Sequence, residues 1–303
     1  MLSLSKGDPI AEVTPKKGKP FKICIFGAQD MHIDKTKPHL KVENEHDLLD
    51  KEFMKLYRIK DRDLLLQQLK DGVENEETEA ALAHIDLMLR KRITLPDDAV
   101  VFPIPQVYSE RGYVSAPSGA GKSYFTGQYV EKIRDKFGKK RQVFIFSRVE
   151  ADEALDKFGK KVTVRVPLQA DLWNSVTFTP EDFKEGICIF DDIDMLQDKT
   201  LKQKVQALRQ NILETGRHVK CSCLSTSHQL QNFNETRVLI NEAMWVVLFP
   251  KASSIYHVHS FLEKYMGLKT QMIRYLYSLP TRWLYISKFY PRYIVHQHGV
   301  ILL

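Results

Sequence analysis

A chain of 303 residues with 43% apolar side chains is long enough to bury one large α/β core and too apolar to stay disordered. Its net charge of +7 is uneven: residues 1–100 carry 17 Lys and Arg against 19 Asp and Glu, which leaves 28 against 19 for residues 101–303, a field suited to a polyanionic partner. No run approaches the roughly 20 apolar residues of a bilayer span, and MLSLSKGDPIAEV breaks at Lys6 and Asp8 before a secretory core forms, so an unexported chain is expected.

Residues 1–20, rich in Lys, Pro and Gly, read as a flexible arm, and FKICIF, residues 21–26, as a strand. From about Glu45 to Arg92 apolar residues (Leu48, Leu49, Phe53, Leu56 and Tyr57, then Leu64, Leu65, Leu66 and Leu69, then Ala81, Leu82, Ile85 and Leu89) recur at helical spacing. The acidic run ENEETE, residues 74–79, separates two such helices. TLPDDAVVFPIPQV, residues 94–107, with its prolines, marks a boundary between a smaller, mostly helical N-terminal region over 1–100 and a second domain over 101–303. Beyond Glu110 strands and helices alternate. GYVSA, QVFIFS, KVTVRV, GICIFD, KCSCLST and MWVVLF read as strands, with SYFTGQYVEKIRDKF, EADEALDKF, Leu196–Thr215 and ETRVLINEA as helices between them. That alternation predicts an α/β fold with a mainly parallel central sheet flanked by helices, whose ligands sit at the C-terminal strand ends. The four cysteines, Cys24, Cys188, Cys221 and Cys223, lack zinc-type spacing and read as structural thiols.

APSGAGKS, Ala116–Ser123, fits the phosphate-loop pattern, with Ala116 in the place of the first glycine, and lies between a strand and a helix. Gly119 and Gly121 let backbone N–H groups curl around a β-phosphate, Lys122 reaches the β- and γ-oxygens, and Ser123 offers its hydroxyl to Mg2+. Pro117, Ser118, Gly119, Ala120, Gly121, Lys122, Ser123 and Tyr124 are therefore the candidate ATP-binding residues. In GICIFDDID, Asp191 follows Lys122 by 69 residues; Asp191 is expected at the metal, and Asp192 at the attacking water, where many such ATPases carry glutamate. Asp194 reads as an exposed or capping residue.

LETGRHVKCSCLSTSHQL, Leu213–Leu230, sets Arg217 before a strand that ends in Thr226, Ser227 and His228. That strand is expected between the phosphate-loop strand and the Asp191 strand, so Ser227 and His228 become candidate γ-phosphate sensors. Arg217 has two readings, a surface ion pair or a finger reaching a neighbouring subunit's nucleotide.

Taken together, APSGAGKS, IFSR, ICIFDDID, ETGRHVKCSCLSTSHQL, TRVLINEAMWVVLFPKAS and LPTRWLYISKFYPRYIVHQHGVILL resemble the DNA-packaging ATPases of large double-stranded DNA viruses and their virophage relatives, the poxvirus-type branch of the FtsK/HerA superfamily. The resemblance spans about Tyr113 to Leu303 and leaves residues 1–100 outside it. It implies a P-loop NTPase (ASCE type) that forms a hexameric or pentameric ring and translocates double-stranded DNA into a preformed capsid in the host cytoplasm, docking on capsid or portal-vertex proteins. On this resemblance Lys122 and Ser123 bind MgATP, Asp191 supports the metal, Asp192 acts on water, and Arg217 becomes a trans-acting finger. FtsK-type motors carry glutamine at the sensor strand's end, where this chain has Ser227, His228 and Gln229, so the sensing side chain stays open. Arg148 and Arg237 are secondary candidates.

Residues 261–303 hold nine aromatics and six Lys and Arg against one Glu. RWLYISKFYPRYIV fits strands packed on the sheet, with direct DNA contact as the other reading. His257 and His259, and His296 and His298, form H-x-H pairs that on strands would share a face. Two further readings stand beside the motor: a nucleotide-gated capsid-docking or assembly protein that does not move DNA, and a small-molecule kinase, for which no arginine-rich lid segment is visible.

Overall fold

The computed structural model describes residues 2–4, 6–25, 49, 51–95, 99–230 and 236–303. Its N-terminal part contributes strands as well as helices: β1 (Leu2–Ser3), β2 (Asp8–Pro15), β3 (Phe21–Ile25), α1 (Lys51–Leu56), α2 (Arg62–Lys70), α3 (Glu76–Arg90), β4 (Arg92–Thr94) and β5 (Ala99–Pro103). The expected flexible arm is in fact β2, which pairs antiparallel with β3 on one side and β5 on the other. Ile10, Ala11 and Val13 are buried there, and the Lys-rich stretch is only the turn of the β2–β3 hairpin. The first residues of the expected helical stretch, 45–48, lie outside the described residues. α1 to α3 bury Phe53, Leu65, Ala81 and Ile85 among themselves. Asn75 and Thr78 start α3 by exchanging side-chain to backbone hydrogen bonds, each 2.9 Å long, so the acidic run is a capped helix start.

The chain then builds β6 (Arg111–Ser115), α4 (Lys122–Phe137), β7 (Val143–Ser147), α5 (Glu153–Asp156), β8 (Thr163–Arg165), α6 (Ala170–Ser175), β9 (Ile187–Asp191), α7 (Lys199–Thr215), β10 (Ser222–Ser227), α8 (Arg237–Glu242) and β11 (Trp245–Leu248). It ends in α9 (Ile255–Lys264), α10 (Thr270–Ser278), β12 (Leu284–Ser287), β13 (Tyr293–His296) and β14 (Gly299–Leu302). One ten-stranded sheet runs in the order β4-β14-β13-β12-β11-β6-β10-β9-β7-β8. The six strands from β11 to β8 are mutually parallel, and the other four join antiparallel. This is the expected P-loop NTPase architecture, with β10 between β6 and β9 as the motif order predicted.

Cores lie on both faces of the sheet. On one face Phe146, Phe190, Val205, Ile212, Phe261 and Ile273 pack α7, α9 and α10 onto the strands. On the other, Phe125, Tyr129 and Ile133 of α4 share a core with Ile10, Val13, Ile23 and Val101 of the small sheet. β4 extends the large sheet while β5 completes the small one, so the N-terminal region and the α/β region share buried surface. A Cβ at Gly112 would stand 2.1 Å from the Trp245 ring, so only glycine lets β6 and β11 carry that indole between them. The terminal segment forms strands as read, with Trp283, Tyr285 and Tyr293 buried. His257 and His259 lie on α9 rather than on a strand, so they do not share a face, and His296 is sealed in the core. No helix among the described residues is long and apolar enough to cross a membrane.

Candidate nucleotide site

Three strand ends converge. β6 delivers the loop 116–121 into α4, β9 delivers Asp191 and Asp192, and β10, between them, delivers Thr226, Ser227 and His228. Gly119 and Gly121 adopt φ values of +76° and +111°, a region that only glycine enters readily, and they turn the chain into α4 with no side-chain cap on the helix N-terminus. Such an end, with its aligned N–H groups and dipole, is an anion site. The Ala116 N–H donates to the Ser227 carbonyl at 3.1 Å, tying the loop to the end of β10. The Lys122 side chain is 6% exposed; its ammonium donates to the Ala116 carbonyl at 2.9 Å and stands 3.5 Å from Asp192 Oδ2. The phosphate-loop lysine and the acidic pair are thus in direct contact.

Around the acids the network is specific. The Thr226 hydroxyl donates to Asp191 Oδ1 at 2.7 Å, and the Ser147 hydroxyl, at the end of β7, donates to Asp191 Oδ2 at 2.8 Å. Asp192 sits at φ +47°, rare for a residue with a side chain, and its N–H donates to Thr226 Oγ1 at 3.1 Å. His228 bridges Asp192 and Lys122: Nε2 lies 2.9 Å from Asp192 Oδ2, and Nδ1 lies 3.3 Å from Lys122 Nζ. Both contacts fit one neutral tautomer, with Nε2–H donating and Nδ1 accepting. Burial raises the Asp192 carboxyl above the ordinary carboxylate range, Lys122 opposes this, Asp191 adds to it and His228 opposes it. A carboxylate so raised is a better proton acceptor than a solvated one. The Ser123 hydroxyl and the Asp191 carboxylate are hard oxygen donors of the kind Mg2+ takes. Among the described residues no group of three or more His, Cys, Asp or Glu forms a dedicated metal cage, and Mg2+ held largely by substrate phosphates needs none.

No family model matches the sequence. The uncharacterized protein V3 of the Sputnik virophage is 34% identical over 213 residues, which cover 69% of this chain and 84% of that protein. The chain belongs to the V3 family. Among solved structures, the DNA-packaging ATPase B204 of Sulfolobus turreted icosahedral virus is similar at 14% identity and a TM-score of 0.43, covering 62% of this chain and 96% of that one. The cytoplasmic domain of the Thermomonospora curvata type VII secretion ATPase EccC is similar at 15% identity and a TM-score of 0.44, covering 70% of this chain and 29% of that one.

Within this V3-family chain the sequence-predicted residues fall into two groups. Lys122, Asp191, Asp192 and His228 meet at one place, with the backbone of 117–121 beside them and Ser123 next to Lys122 in the first turn of α4. Ser227 does not point there: its hydroxyl donates to the Gln229 carbonyl and accepts from the Gln229 N–H, both at 3.1 Å, which leaves His228 as the polar side chain of the strand end that reaches Lys122. The Tyr124 side chain is exposed, with its hydroxyl accepting from Gln128. Arg148 is exposed and donates to the Met195 carbonyl at 2.7 Å. Arg217 is exposed at the opposite end of the strands, in the wall of a cavity of about 450 Å³ shared with Arg111 and Lys220. The sequence placed Thr226 at this strand end but not its bond to Asp191, and it missed two contributors altogether: Ser147, which also holds Asp191, and Arg282, whose guanidinium reaches the Ala120 carbonyl at 3.5 Å. Asp194 is neither exposed nor a cap; it is buried against Arg209.

Proposed function

We propose that this chain is the subunit of an ATP-hydrolysing ring motor that drives double-stranded viral DNA into a preformed capsid. The observation that carries the chemistry is the 3.5 Å approach of Lys122 to Asp192, with His228 joined to both. The resemblance of these motifs to viral packaging motors, and membership in a virophage family, support the DNA as cargo.

Lys122 and the N-terminal amides of α4 grip the β- and γ-phosphates and neutralise charge that builds on the transferring group. Ser123 and Asp191 are the residues that would hold Mg2+, which would supply further neutralisation of the phosphate charge. Thr226 and Ser147 fix both oxygens of Asp191, so the carboxylate cannot swing away. Asp192 orients a water in line with the γ-phosphorus and accepts its proton as the P–O bond to the β-phosphate breaks. Aspartate is shorter than the glutamate common at this place; its left-handed backbone and the His228 contact set its carboxylate direction instead. His228, linked to the sensor strand, senses loss of the γ-phosphate through Lys122 and Asp192. Arg217 acts on the nucleotide of a neighbouring subunit.

Phosphate release measured on the assembled protein at low salt, with and without long duplex DNA, tests this reading. Duplex should stimulate turnover, and Lys122→Ala should lower kcat by about a hundredfold or more with the melting temperature unchanged. Hydrolysis that survives Lys122→Ala refutes the site; slow hydrolysis indifferent to DNA, with tight capsid-protein association, favours a docking protein over a motor.

A further inference from the structure

The candidate nucleotide site lies at one end of the parallel strands, and the other end carries a surface that the site residues do not touch. There the hairpin between β12 and β13 lifts Phe289 and Tyr290 into solvent, 51% and 97% exposed. The turn between α9 and α10 stands beside it and presents Lys264, Tyr265, 40% exposed, and Lys269. Arg292 ties the two together, since its Nη1 donates to the Met266 carbonyl at 2.9 Å. The Leu303 N–H donates to the Arg292 carbonyl at 2.9 Å and the Leu302 N–H to the Lys91 carbonyl at 2.7 Å, which brings Lys91 to the same end. Lys288 does not face outward with them: its ammonium donates to the Ile240 and Asn241 carbonyls and roots the hairpin on α8. Four cations (Lys264, Lys269, Arg292 and Lys91) and three aromatics (Phe289, Tyr290 and Tyr265) therefore share this end with Glu263, which lies 4.0 Å from His259 on its own helix, while Glu242, beside the root of the hairpin, is paired with Arg111 at 3.1 Å.

We infer that this hairpin tip and the neighbouring α9–α10 turn form a contact surface for duplex DNA, at the end of the sheet remote from the nucleotide. The inference rests on the motor reading above and gives that motor its track. A protein-docking patch concentrates apolar residues at its centre and depletes charge there. Here cations are interleaved with every aromatic, so charge complementarity selects a polyanion. Lys264, Lys269, Arg292 and Lys91 match phosphate oxygens, which a duplex offers on both strands at close spacing. The Tyr290 hydroxyl is a phosphate donor, and the Phe289 and Tyr265 rings lie against sugar edges. Contacts of this kind position a duplex without reading its sequence, as a translocating motor requires.

Fluorescence anisotropy of a labelled duplex titrated with the full chain tests the surface. Phe289→Ala/Tyr290→Ala and Lys264→Gln/Lys269→Gln should each weaken binding by about tenfold, and the charge variant should reduce the slope of log affinity against log salt by about two, one per lost phosphate contact. Hydrolysis without DNA should equal wild type in both, because these side chains lie away from Lys122 and are exposed; its stimulation by DNA should fall. A wild-type chain that binds duplex while both variants bind with the same Kd and salt slope overturns the surface and leaves the motor standing. A wild-type chain that hydrolyses ATP but binds no duplex at low salt overturns both.

Discussion

Burial pushes the His296 imidazole down from its ordinary value of 6.5 to about 4, with desolvation as the larger cause and the neighbouring His298 as the smaller. Its Nδ1 accepts from the His298 N–H at 3.3 Å, and its Nε2, sealed in the core, has no hydrogen-bond partner among the described residues. A folded-state value below the unfolded one means that the unfolded chain takes up the proton first. Stability held by neutral His296 is therefore complete above pH 6.5 and is lost as pH falls through about 4. The whole effect amounts to about 3 kcal/mol. Urea denaturation across that window should show wild-type stability falling with acid, and His296→Gln should flatten the fall by about that amount. Equal slopes in the two proteins would remove the histidine from the account. The same burial explains why the H-x-H spacing in the sequence pointed nowhere useful: it describes two nearby imidazoles and is silent on whether water or metal can reach them.

Between the turn that follows β9 and α7 runs a buried ion pair. Asp194 Oδ1 stands 3.5 Å from Arg209 Nη1, with side chains 9% and 5% exposed. The pair fixes the turn that holds Asp192 to a helix of 17 residues, roughly 25 Å long, whose far end leads to Arg217. Removing one partner strands the other charge in the core, so Asp194→Asn or Arg209→Met alone should cost about 3–5 kcal/mol, whereas the Asp194→Leu/Arg209→Met pair should recover most of it. Denaturant midpoints of the three variants check this, and a double variant no better than the singles would refute it. Elements of this kind mark the limit of legibility. The parallel strands and their helices were readable because short β-rich runs alternate with helical ones, and Lys122, Asp191 and Asp192 were readable because each sits in a local motif. β2 was hidden because its pairing with β5 is nonlocal and its apolar residues stand among Lys, Pro and Gly. Thr226, Ser147 and Asp194 are single polar residues whose partners are set by strand order and helix packing, which no spacing encodes.

At the scale of the molecule, the parallel sheet separates functions by its two ends. Lys122, Asp191, Asp192 and His228 gather where the parallel strands finish, while Arg217 precedes β10 and sits where they begin. An arginine there cannot touch the nucleotide of its own chain, so a catalytic role for it requires a second subunit packed against the first. Subunit mixing converts that geometry into a measurement. Lys122→Ala removes the grip on phosphate and Arg217→Ala removes the finger, and each homogeneous assembly should be nearly inactive, an arginine finger being worth about a thousandfold or more. In an equal mixture, a site with intact Lys122 beside a neighbour with intact Arg217 arises at about a quarter of interfaces, so activity should rise to that order if the arginine acts between subunits. Native mass measured with a nonhydrolysable ATP analogue should show the ring in which those interfaces form. A mixture as inactive as its parents, in a chain that does assemble, would return Arg217 to the surface and leave the neighbouring subunit without a part in the chemistry.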